Sequence, residues 1–359
     1  MKHTPFFSLH QKHKAKIVPF GGFEMPIHYT SILEEHKKVR TNVGVFDVSH
    51  MGEFFVTGKN AQSFLQKITI NDVTKLVPGK AQYSAMCLEN GNIIDDLLVY
   101  MLAENSYMVV VNASNIEKDF QWMQKHLLEQ VELINKSDET SLLAVQGPDS
   151  EKVLQQLTKS DLKNIPYYNF VQGKFADVEM IISRTGYTGE LGFELYFDAQ
   201  HSEKIWNAIF EKGKAYNIAP IGLGARDTLR LEMGYCLYGN DIDETSNPLE
   251  ANLGWITKIS KGDFIGKSAL EKVKANGVQR KLVGLVLQEK SVPRHGYEIF
   301  KGEKSIGTVT SGTFSPSLEQ GIAMGYIPTE YSSAGTTVQV DIRGKKINAV
   351  VTQVPFLKK

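Results

Sequence analysis

Asp95 and Asp96 stand side by side in IIDDLLVY (93–100), a run otherwise made of isoleucine, leucine, valine and tyrosine. Two carboxylates in such surroundings are costly to bury unless something pairs with them. On a strand, adjacent side chains point to opposite faces, so only one of the two enters a given pocket directly. Two readings fit. Both acids sit at the solvated end of a hairpin, or one is a desolvated carboxylate aimed at a developing positive charge or a transferable proton. A second candidate acid, Glu194, lies in TGYTGELGFELYF (185–197), where Gly186, Gly189 and Gly192 recur every three residues. That spacing permits turns and close backbone approach. A carboxylate between Phe193 and Leu195 suits an amidine-like edge, such as an aminopyrimidine ring or an arginine offers, because it accepts two parallel hydrogen bonds. Plain alternation, with Glu194 on a wet face, fits equally. Arg226, Asp227, Arg230 and Glu232 fall in a predicted helix on which the two arginines share a face. Internal ion pairing and recognition of a carboxylate or carbonyl both remain open for them. Tyr83, Tyr100, Tyr167, Tyr168, Tyr187, Tyr235 and Tyr238 supply stacking faces for a flat heteroaromatic ligand, in combination with those acids.

Other patterns do not carry chemistry. In GDFIGKS (262–268) three residues separate the glycines where a phosphate loop needs four, and in GLGARD (222–227) Asp227 stands where a dinucleotide fingerprint needs its third glycine. No HExxH or GxSxG occurs, and the nine histidines are scattered. Two cysteines, Cys87 and Cys236, build neither a disulfide framework nor a four-cysteine zinc site.

The elements that must position these residues are of mixed type. Ser31-Ile-Leu-Glu34 is a capping box for a helix running toward Arg40, and Ser114-Asn-Ile-Glu117 is a second one. VGVFDVSHMGEFFVTG (43–58) reads as strand. The stretch 82–102 reads as two strands around Glu89-Asn-Gly-Asn92, a hairpin turn. Residues 141–147 form a strand, two more flank RTGYTGE (184–190), and helices follow over 201–216 and 223–234. From Arg280 onward, short strands separated by Gly, Pro and Asn turns predict a separate all-β sandwich or barrel, with 256–279 as the linker to it.

A chain of 359 residues, 42% hydrophobic and 22% charged, is ordinary for a globular protein of two or three domains. Forty Lys and Arg balance forty Asp and Glu, so there is no whole-chain electrostatic reason to bind nucleic acid or an anionic membrane. No apolar run approaches the length of a membrane span, and the N-terminus lacks the apolar core of a secretory signal. The expected location is the cytoplasm, or a mitochondrial matrix after removal of a transit peptide.

Read together, VGVFDVSHMGEF (43–54), NGNIIDDLLVY (90–100), RTGYTGELGFEL (184–195), IGLGARDTLRLEMGYCLYGNDIDE (221–244), NPLEANLGW (247–255) and FIGKSAL (264–270) resemble the aminomethyltransferases of the glycine cleavage system, the T-proteins, over nearly the whole chain. The resemblance implies transfer of the one-carbon unit of an aminomethyl group, carried on the dihydrolipoyl arm of the H-protein, to tetrahydrofolate. Ammonia is released and 5,10-methylenetetrahydrofolate forms. Tetrahydrofolate is then a co-substrate, the lipoylated H-protein the partner, and no metal is implied. By resemblance Asp96 is the catalytic aspartate, while Met51, Tyr83, Asn112, Tyr187, Glu194, Arg226 and Tyr235 bind the folate; Asp95 is left as a supporting group. The family's arginine near the C-terminus, which reaches the folate, has no counterpart in VPFLKK, where Lys358 is the nearest cation and lacks the bidentate fork.

The implied fold is α+β, three domains in a cloverleaf around a central folate pocket, with a C-terminal all-β domain of jelly-roll or barrel type. Residues 1–51 and 139–255 form a discontinuous folate-binding domain, 52–138 an inserted α+β domain with an antiparallel sheet, 256–279 a linker and 280–359 the β domain. The rival is a non-catalytic folate-binding protein of the iron–sulfur maintenance type. Such relatives carry a cysteine in a KGCYxGQE-like block, where this chain has RTGYTGE. A demethylating flavoenzyme needs an FAD domain and its fingerprint, and a scaffold without chemistry is the third reading. The neutral total conceals two basic ends. Residues 1–40 hold seven Lys and Arg against three Glu, and 343–359 hold five with no acid, which makes one of them an expected docking surface for an acidic lipoyl carrier.

Overall fold

The Ser31 hydroxyl accepts the Glu34 N–H and opens the helix Ile32–Thr41, as the capping pattern predicts. At Ser114 the same pattern does not cap. A 3-10 turn, Ala113–Asn115, intervenes, and the helix Ile116–Lys125 starts after Asn115 without a side-chain cap. The computed structural model describes residues 1–358 and divides into two compact units. One comprises 1–66, 72–83 and 97–226; the other comprises 67–71, 84–96 and 227 onward.

The first unit holds a six-stranded sheet in the order Phe170–Phe175, Val178–Ser183, Gly192–Asp198, Thr140–Gln146, Gly44–Asp47 and Ala219–Pro220. All its pairs are antiparallel except the last, where Ala219 runs parallel to Gly44. Val45, Val145, Phe193, Leu195 and Phe197 leave one face to pack with Trp206, Ile205 and Ile209 of the helix Ser202–Gly213. Burial of this kind contributes about 25 cal/mol per Å² of apolar surface and dominates the stability of the unit.

The stretch 43–58, expected as one strand, is two. Gly44–Asp47 pairs in the six-stranded sheet and Gly52–Thr57 in a second sheet. Between them the Asp47 carboxylate accepts the Ser49 N–H and the Val48 carbonyl accepts the Met51 N–H, which closes a turn that alternation alone does not reveal. The second sheet runs Lys80–Cys87, Ile93–Ala103, Ser106–Val111, Gly52–Thr57 and Glu132–Asn135. The predicted hairpin at 89–92 forms, with Gly91 at φ +85°. One sheet face is covered by Ile116–Lys125: Phe54 packs edge-on to Phe120, and Ile116 leaves no room for a side chain at Gly52. Glu53, Val110 and Leu98 share a rung on the opposite face.

In the second unit six strands close into a barrel: Arg280–Leu287, Gln320–Pro328, Lys304–Ser315, Glu298–Lys301, Thr337–Ile342 and Lys345–Thr352. Leu285, Val309, Val340, Ile347 and Ala349 fill its interior. The α+β class and the barrel-type C-terminal domain are therefore as expected. The presumed linker is more structured than its composition suggests. It carries the helix Lys267–Asn276, whose Ala269 and Leu270 close against Gly91 at the hairpin tip.

Candidate functional site

Alternation along Gly192–Asp198 sends Phe193, Leu195 and Phe197 into the core, so Glu194 and Tyr196 occupy the other face. That face is not wet: Glu194 is only 7% exposed. Its Oε2 accepts the Thr185 hydroxyl at 2.5 Å and, weakly, the Tyr196 phenol at 3.4 Å. Tyr196 lies 3.0 Å from the Tyr100 hydroxyl, and Ser183 donates to Tyr100 at 3.3 Å. Burial raises the Glu194 carboxyl above its ordinary range; the Thr185 bond, the Arg226 charge and the Tyr196 bond oppose this without cancelling it.

The loop before Glu194 is held by Gln146. Gly186 and Gly192 press against the Gln146 side chain where any Cβ would collide, and Gly189 has φ +72°. Gln146 donates to the Thr185 carbonyl at 3.2 Å and accepts from the Thr188 hydroxyl at 2.8 Å. Arg40 then donates to the Thr188 carbonyl at 2.7 Å and to Glu190 at 2.9 Å. The glycine spacing thus serves close packing, and the result is a fixed position for Tyr187. The Arg226 guanidinium lies over the Tyr187 ring at 4.6 Å. Arg226 is presented by the helix Leu223–Glu232, whose approach is anchored by Glu35 accepting the Gly222 N–H at 2.8 Å.

Met51 and Asn112 are both half-buried. Met51 precedes and Asn112 follows the pair Gly52–Val111, at which the pairing of these two strands ends. Tyr83, on Lys80–Cys87, is half-buried. His50, immediately before Met51, is 2% exposed and is pushed down to about 4 by burial first and by Arg226 second. It is a neutral imidazole at neutral pH.

In the second unit Asp95 is fully buried and Asp96 half-buried on opposite faces of their strand, so Asp95 is not at a solvated hairpin end. The Asp96 charge reaches Cys236, whose thiol is pushed up by burial first and then by Asp241 and Asp96. Tyr235 adjoins that cysteine, and its carbonyl accepts from Arg230 at 2.9 Å. Arg230 is paired internally. It donates to Asp227, to Asp241 at 2.7 Å and to Ser311 at 2.7 Å, and is 1% exposed. The two arginines of one helix have therefore separated, Arg230 to internal pairing and Arg226 to the face of a tyrosine.

The structure brings Glu194, Tyr187 and Arg226 into one cluster, leaves Met51 and Asn112 flanking the Gly52–Val111 pair, and gathers Asp96 with the Tyr235–Cys236 segment. Sequence reasoning missed Glu53, which is 0% exposed with neither carboxyl oxygen bonded to another protein group. Burial drives it well above the ordinary carboxylate range, and its charge, like that of Glu194, acts on Tyr196. It also missed Thr185 and His50. The one available sign of Glu53 was an acid at an alternate position of GEFFVT, which exposed strands show just as often.

Residues 6–261 match the family profile described as the GCVT N-terminal domain, and residues 280–358 that of the glycine cleavage T-protein C-terminal barrel domain. An aminomethyltransferase of Flavobacterium psychrophilum is 53% identical over 361 aligned residues, covering 100% of both chains. One from Bacteroides fragilis is 55% identical, again over 100% of both. The crystal structure of the glycine cleavage system aminomethyltransferase T from Bartonella henselae superposes with TM-score 0.93 at 35% identity, covering 99% of this chain and 98% of that one.

Proposed function

We propose that this chain, which belongs to the glycine cleavage T-protein family of aminomethyltransferases, divides its reaction between a recognition carboxylate, Glu194, and a charge-stabilising carboxylate, Asp96. The activity itself is aminomethyl transfer: the one-carbon unit passes from the dihydrolipoyl arm to tetrahydrofolate, and ammonia and 5,10-methylenetetrahydrofolate are the products. A reading as a non-catalytic folate binder is not favoured, since full-length relatives at this identity are aminomethyltransferases.

The observation that carries the assignment is a buried Glu194 with few protein donors, next to an arginine stacked on a tyrosine. A pterin presents a ring N–H beside an amino group, the donor pair that such a carboxylate accepts. Tyr187 and Arg226 supply a flat wall, and Met51, Tyr83, Asn112 and, by the family resemblance, Tyr235 are folate-binding residues in this reading. The attacking folate nitrogen gains positive charge as its bond to carbon forms. The amine leaves with a proton while the sulfur of the arm is released as a thiol. A carboxylate held at Asp96 stabilises that charge and steers the proton, which is electrostatic preorganisation more than strong base catalysis. Asp95, buried behind it, is a supporting group.

The lipoylated H-protein is the partner in this reading and the cytoplasm the location, in keeping with bacterial relatives. Among the described residues no helix is long and apolar enough to cross a membrane. The sheets speak for the division into 1–51 with 139–255, 52–138, a 256–279 connection and 280–359, each falling within one of those ranges, whereas the compact units group 84–96 and 227–255 with the barrel.

The test is ammonia release from aminomethyl-loaded H-protein with and without tetrahydrofolate. Wild-type release should depend on tetrahydrofolate. Asp96→Asn should retain the tetrahydrofolate dissociation constant while turnover falls about 10²–10⁴-fold. Near wild-type turnover would remove Asp96 from the mechanism.

A further inference from the structure

The second unit holds a cavity of about 420 Å³, within the range of small-molecule pockets, and none of its lining residues belongs to the folate or transfer groups described above. Arg280, at the start of the strand Arg280–Leu287, lines it and is fixed there on three sides. Its Nε and Nη2 fork onto the Glu250 carboxylate at 3.1 and 3.0 Å. Nη2 also donates to the Thr245 carbonyl at 2.9 Å, and the guanidinium lies 4.5 Å from the centre of the Tyr326 ring. Nη1 has no partner among the described residues. A guanidinium held in one orientation with an unused N–H edge is a preformed seat for a carboxylate.

Asp243 is the second charged group of the lining. Its Oδ1 accepts the Thr245 N–H at 2.8 Å and the Thr245 hydroxyl at 2.6 Å. Its Oδ2 takes no bond, and no cation of the described residues pairs with it. Thr245 therefore bridges the two, its carbonyl on Arg280 and its N–H and hydroxyl on Asp243. The Asp243 charge acts on Arg280, yet the two side chains form no ion pair. Asp241 also lines the cavity, but Arg230, Ser311, Thr310 and the Leu237 N–H already fill its oxygens. Tyr326 and Pro328, both half-buried, add apolar surface. A lone anion here would meet Asp243, and a lone cation would meet Arg280. A molecule with ammonium and carboxylate on one carbon satisfies both unfilled groups.

We propose that this cavity binds a free α-amino acid with an apolar side chain, its carboxylate on Arg280 Nη1, its ammonium on Asp243 Oδ2 and its side chain against Tyr326 and Pro328. The site goes beyond the aminomethyl-transfer reading and does not depend on it.

The experiment is calorimetric titration of the full chain with L-leucine and with its two halves. One half, 3-methylbutylamine, lacks the carboxylate; the other, 4-methylpentanoate, lacks the ammonium. Leucine should saturate one site per chain, and each half should bind about tenfold more weakly or worse, having lost one charge-assisted contact. Asp243→Asn keeps the Oδ1 bonds to Thr245 and removes the charge. Arg280→Lys keeps a cation beside Glu250 and removes the free edge. Each should weaken leucine about tenfold or more, with Tm within about 2 °C of wild type. The two halves read the same contacts on the unaltered protein, so the test survives a variant that does not fold. The proposal is overturned if leucine fails to saturate by about 50 mM, if either half binds as tightly as leucine, or if the folded variants keep wild-type affinity. No readout uses transfer activity, so these outcomes are separate from those that test the aminomethyltransferase reading.

Discussion

Asp47 and Glu194 are both buried carboxyls of the six-stranded sheet, yet they are shifted in opposite directions. Asp47 accepts from Thr4 at 2.6 Å, from His10 at 2.8 Å and from the Ser49 N–H at 2.9 Å. Burial raises its carboxyl, but the His10 hydrogen bond and charge, with Thr4 and Ser49, outweigh that and hold it below the ordinary range. Glu194 has one short donor and one long one, and burial prevails. Glu53 extends the series to no protein donor at all and lies highest. The balance of donors against burial sets the direction in which each buried carboxyl is moved. Asp47 is finished as a structural group, fastening the N-terminal segment to the sheet. Glu194 is left short of donors, the condition in which a ligand that brings its own is bound tightly.

The largest effect should come from emptying the saturated site. His10→Ala leaves Asp47 buried without its strongest partner and should cost about 3–5 kcal/mol in urea unfolding. A loss below about 1 kcal/mol would dissolve the contrast with Glu194. Next is the buried base His50. Its folded value of about 4 lies below the unfolded 6.5, so the unfolded chain binds the extra proton as pH falls. Stability should be fully present above about 6.5 and drop by roughly 3 kcal/mol by pH 4. His50→Phe should flatten that limb, and an unchanged slope would assign it elsewhere.

Glu194→Ala should weaken tetrahydrofolate binding about 10–100-fold by calorimetry with little change in Tm, since the lost donors belong to the ligand. An unchanged dissociation constant would make Glu194 another structural acid. The smallest effect is a gain. Glu53→Leu replaces an unpartnered acid by an apolar side chain of similar size and should stabilise by about 1–3 kcal/mol at neutral pH. The sign of its pH dependence opposes that of Asp47. A raised carboxyl contributes stability that is full below its unfolded value and lost as pH rises. A lowered one loses its contribution as pH falls through the folded value. Destabilisation by Glu53→Leu would mean that the acid has a task in the resting fold.

Much of this was legible in the chain. Caps, hairpin turns and alternation act over a few residues. The Ser31 cap, the 89–92 hairpin, the opposed faces of Asp95 and Asp96 and the β-rich tail follow from such neighbours. The ordered motifs around Asp96, Glu194 and Arg226 carried the family, which full-length relatives then bore out. What lay outside local reach was partnership. A turn at 48–51 assigns the two halves of one apparent strand to different sheets because Asp47 meets Ser49 while its sheet partners lie near residue 143. Arg226 and Arg230 look alike on a helix, yet Asp241 and Ser311 saturate one while Tyr187 and Glu194 meet the other. The sequence by itself determined which residues can accept, donate or stack. Tertiary structure alone decided which are satisfied, because the free energy of a buried charge is set by groups that are remote in the chain and adjacent in space.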